Sequence, residues 1–249
     1  MNPGFVRVTL LVAGLLAGMP AALAQNAMLD MGCGSLENGY GPFDYRTQRA
    51  SLRVVETYHF GPKQENAMSN VGGDLDYTLR ASPNHHRALM AMLKYANRTK
   101  KATPPGMQFT VECYLIRGET FRADDPMVKV LFGMYLVRAG RGKEAIQKLE
   151  AARELEHDNA NVNYNLGLAY FDLREYDKAL DSAHRAYAAG FPLPGLRDKL
   201  KRAGKWAEPS VKPSTARPAA GGANTTEPAS PAVDAEPAAA PASAEAGKE

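Results

Sequence analysis

Small residues recur at one fixed offset in this chain, and that offset constrains its fold more than any other feature. Gly133 and Gly167, Ala145 and Ala179, and Ala152 and Ala186 each lie 34 residues apart. The blocks around them correspond as well. Leu131-Phe132-Gly133-Met134-Tyr135-Leu136 matches Asn165-Leu166-Gly167-Leu168-Ala169-Tyr170, and Gly142-Lys143-Glu144-Ala145-Ile146 matches Tyr176-Asp177-Lys178-Ala179-Leu180. A period of this length marks a unit that cannot bury its apolar face alone and must stack on copies of itself. The clear units are 126–159 and 160–193. Each reads as two helices joined by a tight turn, with Glu156–Asn159 and Gly190–Pro192 as stop signals.

The period, with small residues in these places, resembles the tetratricopeptide repeat. The resemblance implies an all-α fold, an α-solenoid of helical hairpins. Gly133 and Gly167 then sit mid-helix, at a cost of about 1 kcal/mol each relative to Ala. A helix carries that cost where a second helix approaches closely. Ala145 and Ala179 are the expected facing residues, and Ala152 and Ala186 let the next hairpin dock.

Less regular units flank the clear ones within a helical domain over 74–207. A degenerate repeat over 85–125 pairs Asn84–Tyr95 with Val111–Asp125 through a turn lengthened by Lys100–Gly106. Asn84 is the expected helix cap of this unit. Residues 25–73 read as an irregular segment with one helix near Tyr45–Tyr58, where Leu52, Val55 and Tyr58 recur at helical spacing. Residues 194–206 carry Leu196, Leu200 and Trp206 on one face, the amphipathic capping helix that a repeat stack requires.

Neither end reads as part of the fold. Arg7, the apolar run Val8–Leu16 and the ending Ala21-Ala22-Leu23-Ala24 describe a signal peptide over 1–24. Gly14, Gly18 and Pro20 argue against the alternative, a membrane anchor, and no later segment is apolar for long enough to span. Stable membrane insertion after cleavage is therefore not expected. Acylation at Cys33 is disfavoured by Asp30 three residues upstream. The tail over 208–249 is Pro, Ala, Ser, Thr, Gly and Glu with almost no large apolar residue, a composition that predicts disorder. Cys33-Gly34, Tyr40-Gly41-Pro42-Phe43-Asp44-Tyr45, Asp74–Arg80 and Pro83-Asn84-His85 are also similar to a proteobacterial periplasmic group of tetratricopeptide proteins. That likeness implies the periplasm and supplies no activity. There, two cysteines in the mature chain are a fair pair for one disulfide between Cys33 and Cys113. The alternative is that Cys113 is an ordinary buried residue.

The family resemblance places a ligand surface on the concave face lined by the first helix of each unit. Projected onto this sequence, it holds His86, Leu89, Leu93 and Asn97, then Met127, Val130, Met134 and Arg138, then Asn161, Tyr164, Leu168 and Phe171. A face of Leu, Met and Val suits an extended apolar peptide or a partner helix. The alternative is that Cys33–Tyr58 fills it, with Phe43 and Tyr45 as plugs. His85-His86 does not make a metal pair, because adjacent helical residues diverge by about 100°. No nucleophile elbow, phosphate loop, zinc-protease pair or haem-attachment motif is present in the sequence. Thirty basic residues against 27 acidic ones, with no basic stripe interleaved with aromatics, do not support a nucleic-acid partner. The expectation is a protein- or peptide-binding adaptor or scaffold with no catalytic residues, metal or cofactor. An accessory, chaperone-like factor in envelope protein or cytochrome maturation is the alternative.

Overall fold

The 34-residue offset takes shape as two helical hairpins in a computed structural model of the chain, which describes residues 29, 31–37 and 39–209. The signal peptide expected over 1–24 and nearly all of the tail expected over 208–249 lie outside the described residues. Helices account for the regular structure throughout: α1 (Arg49–His59), α2 (Pro62–Glu65), α3 (Gly72–Ala81), α4 (His86–Thr99) and α5 (Val111–Phe121) precede the clear repeats. The repeats themselves are α6 (Pro126–Arg138) with α7 (Gly142–Leu155) and α8 (Ala160–Asp172) with α9 (Tyr176–Ala188), followed by α10 (Gly195–Arg202). Packing follows the repeat pattern. α6 lies on α7 and α8 on α9, while α4, α6, α8 and α10 pack in succession as the inner, or A, layer. α3, α5, α7 and α9 form the outer, or B, layer.

Helix starts show why the sequence breaks where it does. Asp125 accepts hydrogen bonds from the Met127 and Val128 amides, and Asn159, 34 residues later, accepts from Asn161 and Val162. Each satisfies amides that the first turn of a helix leaves without partners. The α4 cap is His85 instead of the expected Asn84: its Nδ1 accepts from the Ala88 amide at 3.1 Å. Asn84 faces the other way and binds the segment preceding α1. The region expected to be irregular between Gly61 and Gly73 contains the short helix α2, with Pro62 at its first position.

Close approach differs from expectation in the partner of Gly133 and includes the expected Ala179 at Gly167. A Cβ on Gly133 would lie 2.6 Å from Leu149 Cγ, so the residue facing Gly133 is Leu149, one turn beyond Ala145 on α7. Gly167 is met by the Leu196 side chain of α10 and by the Ala179 backbone carbonyl. Ala145, Ala152, Ala179 and Ala186 are all fully buried, consistent with small residues at helix contacts.

Residues 31–37 and 39–48 form a strap laid over the α3–α4 and α5–α6 connections. Cys33 is joined to Cys113 of α5 by a disulfide, S–S 2.06 Å. The Phe43 amide donates to the Ala81 carbonyl at 2.8 Å, and the Tyr45 amide to Asn84 Oδ1 at 3.0 Å. Asn84 Nδ2 donates to Asp44 Oδ1 and to Asp125 Oδ2, so one buried amide ties strap and α6 together. Arg46 and Arg122 bridge the carboxylates of Asp44, Asp124 and Asp125 at the edge of this node.

Candidate functional site

The A helices run in parallel, so their N-terminal ends share one edge of the stack. A groove of about 1240 Å³ lies along that edge. The strap and α1 supply Tyr45, Arg46 and Arg49 to one end, and α4 supplies His86 and Arg87. The start of α6 gives Met127, the start of α8 gives Asn161 and Val162, and the α9–α10 connection gives Phe191, Pro192 and Leu193. The two ends differ in character. Arginines with Glu65 mark the strap end, and Met127, Val162, Phe191 and Leu193 make the far end apolar.

Two adjacent histidines shape the strap end in different ways. His85 is fully buried and its Nδ1 accepts from Ala88, so its proton sits on Nε2, which donates to Glu56 at 3.1 Å. Burial pushes the His85 imidazole below its ordinary value, against the opposing pull of Glu56. The His85 hydrogen bond in turn holds the Glu56 carboxyl below the usual range. His86 faces the groove and its Nε2 lies 2.8 Å from Asp125 Oδ2. Burial raises the Asp125 carboxyl, but His86, Asn84 and Arg46 together hold it below its ordinary value. Tyr45 stands over both imidazoles, with ring centroids 4.2 Å and 4.9 Å away, and the Arg49 guanidinium covers its other side at 4.2 Å. At the apolar end Phe191 stacks on Tyr164 with centroids 4.0 Å apart.

The projected ligand residues divide into groups. His86, Met127 and Asn161 line the groove. Leu89, Leu93, Val130 and Tyr164 do not present a surface, because neighbouring A helices close over them and they are core. Met134, Leu168 and Phe171 are half-buried and pack on the same clusters. Asn97 and Arg138 are exposed near the C-terminal ends of α4 and α6, away from the groove. Cys33–Tyr58 does not fill the groove either: Tyr45 walls one end of it, while Phe43 packs against Tyr40 at 5.0 Å.

Phe191, Pro192 and Leu193 complete the apolar end, and as a Gly-Phe-Pro stop signal they read only as punctuation. The signal that marks them is an aromatic residue in a turn otherwise built for breaking a helix. Among the described residues, no group of three or more His, Cys, Asp or Glu side chains is placed to hold a metal ion. No described helix is long and apolar enough to cross a membrane.

Residues 136–174, from the end of α6 to just past α8, match the family model for the TPR repeat. No curated protein matches the chain. Among solved structures, MamA MSR-1 C2 aligns over 68% of this chain and 91% of its own, with TM-score 0.40 and 17% identity. A point mutant of MamA aligns over 68% and 92%, with TM-score 0.39 and 17% identity. The family match falls on the segment where the 34-residue offset becomes stacked helical hairpins, and that segment of the chain carries the TPR repeat.

Proposed function

We propose that this chain is an exported, periplasmic adaptor that holds an extended segment of a partner protein in the groove along the N-terminal ends of its A helices. It works by binding and not by catalysis. The observation that carries this reading is the groove, which takes side chains from the strap, α4, α6, α8 and the α9–α10 connection in succession. Its volume exceeds the range of about 300–1,000 Å³ typical of small-molecule pockets. An apolar end anchors side chains of the segment, and the Arg46–Arg49–Arg87 end with Glu65 meets its polar groups. Export is supported by the leader read from the sequence and by the Cys33–Cys113 bond, since such bonds persist in oxidising compartments.

The test is site-specific crosslinking in a periplasmic extract. A photo-crosslinking residue at Asn161 or Pro192 should trap one partner segment, and a synthetic peptide of that segment should compete. The same residue at Arg185, on the exposed face of α9, should trap nothing in common. Identical adducts from Asn161 and Arg185 would exclude the groove as the binding site, and recovery of the mature chain only in the cytoplasm would exclude the export.

A further inference from the structure

The opposite edge of the stack, where each A helix turns into its B helix, carries a different surface. Cross-contacts fix its continuity. The Val111 amide donates to the Ala102 carbonyl at 2.9 Å, which sets Lys100-Lys101 beside the start of α5. Arg141 Nη1 then reaches Glu112 at 2.6 Å, Leu173 packs on Gly142, and Lys199 Nζ lies 3.4 Å from Asp172. The Lys205 ammonium sits 5.5 Å from the ring centroid of Tyr176. Successive hairpin ends from α4–α5 to α10 therefore form one edge.

Lys101, Arg138, Lys143, Arg174, Lys201 and Arg202 stand exposed on this edge, and none of them forms an ion pair among the described residues. All but one of the acids beside them are engaged, Glu112 and Glu144 by Arg141, Glu175 by Lys178, and Asp172 by Lys199, while exposed Asp177 in the first turn of α9 offsets one of the cations. At the other edge the α7–α8 connection carries exposed Glu154, Glu156 and Asp158. Helix dipoles favour cations at the A-helix ends, yet the B helices begin at the same edge and favour acids. The dipoles therefore do not account for the surplus.

We propose that this edge is a peripheral contact face for an anionic phospholipid bilayer. A docking site for a folded protein has an apolar or aromatic centre with charge around its rim. Here the order is reversed, with cations spread along the edge and two large exposed apolar side chains at its end. Tyr58, 75% exposed, and Met68 flank it there. His59 Nδ1 lies 3.1 Å from Asp74 near the start of α3, and Gly72 of α3 packs on the Pro105 carbonyl of the α4–α5 connection. A row of cations against anionic headgroups, with a tyrosine at the interface, is the chemistry of peripheral attachment. Each cation held at such a surface is worth about fivefold in partition. Because the groove lies at the other ends of the A helices, attachment would hold it open about 20 Å from the bilayer, the length of a 13-residue helix.

Co-sedimentation of the full chain with phosphatidylcholine vesicles, with and without phosphatidylglycerol, tests this. Neutral vesicles report any contribution of the apolar leader, and the difference between the two compositions reports the edge. The expected result is at least about tenfold tighter partition to the anionic vesicles, lost as salt shortens the Debye length from about 8 Å to about 3 Å. Lys143→Glu, Arg174→Glu and Lys201→Glu combined should abolish the difference with an unchanged thermal melt, and Arg185→Glu should keep it. Equal partition to both compositions, or a combined variant that still prefers the anionic vesicles, would overturn the proposal. Binding to polyglutamate without binding to anionic vesicles would overturn it in favour of an acidic polypeptide.

Discussion

Arg117 Nη1 donates to the Cys33 carbonyl at 2.9 Å, from a position one turn along α5 from the cysteine that Cys33 is bonded to. The same nitrogen reaches the carbonyls of Gly34 and Ser35, and the guanidinium lies over the Phe109 ring at 5.0 Å. Arg117 is 1% exposed, and burial depresses its affinity for the proton. A charge so placed must be met by dipoles, and the strap carbonyls meet it. Arg117→Met keeps the volume and leaves those carbonyls without their donor. It should lower stability by about 2–4 kcal/mol, read as a reduced urea midpoint, with amide exchange accelerated at residues 33–37 first. Unchanged exchange there would contradict the clamp.

The disulfide holds the same strap by a second, independent route. It closes a loop of 80 residues, worth about 4 kcal/mol on the chain-entropy account. Because Arg117, Asn84 and Ala81 also hold the strap, Cys33→Ser with Cys113→Ser should leave a folded protein with a lower melting temperature. Reductant should lower the melting temperature of the parent to the same value and leave the double variant unaffected. A reductant effect on the double variant would mean that something other than this bond had been measured.

The two kinds of glycine predict opposite signs for the same substitution. At Gly133 a Cβ would press on buried Leu149, with three of its carbons within 3.1 Å. Gly133→Ala gains helix propensity but crowds a fixed side chain, and the net should be a loss of about 1–3 kcal/mol. At Gly73, in the first turn of α3, a Cβ would meet nothing within 4 Å. Gly73→Ala should therefore stabilise by about 0.4–1 kcal/mol through the unfolded chain. Thermal melts of both variants decide it, and a stabilised Gly133→Ala would show the α6–α7 contact to be looser than described.

Much of the fold was legible because helix–helix contact restricts residue size. Gly133, Gly167 and their alanine counterparts can occupy few other places, so their period exposes the register. The candidate site was less legible. Leu89, Val130 and Tyr164 are chemically suited to lining a groove, and equally suited to the contact between successive A helices that buries them. Sequence spacing gives the face of a helix but not the distance to the next one. His85 displaced Asn84 from the α4 cap because Asn84 satisfies strap and α6 together, a long-range demand with no local pattern. Arg117 left one trace, a charge on an otherwise apolar face of α5 beside Tyr114 and Gly118.

His85 sets a pH window distinct from that of the carboxylates. In the folded chain its proton affinity lies below the ordinary value of 6.5, because burial penalises the charged ring more than Glu56 favours it. Below that value the unfolded chain binds a proton that the folded chain does not, so stability rises with pH and falls as the pH drops through 6.5. The carboxylates of Glu56, Glu65, Asp124 and Asp125 are held below their ordinary values, that of Asp124 down to about 2. Their contribution is present at neutral pH and is lost only below their unfolded values of 3.8 to 4.5. Denaturant midpoints should thus fall in two stages on acidification. His85→Asn, which keeps a capping side chain, should lower stability at pH 7 and remove the first stage while leaving the second. A variant that still loses stability between pH 6.5 and pH 5 as the parent does would assign that window to another group.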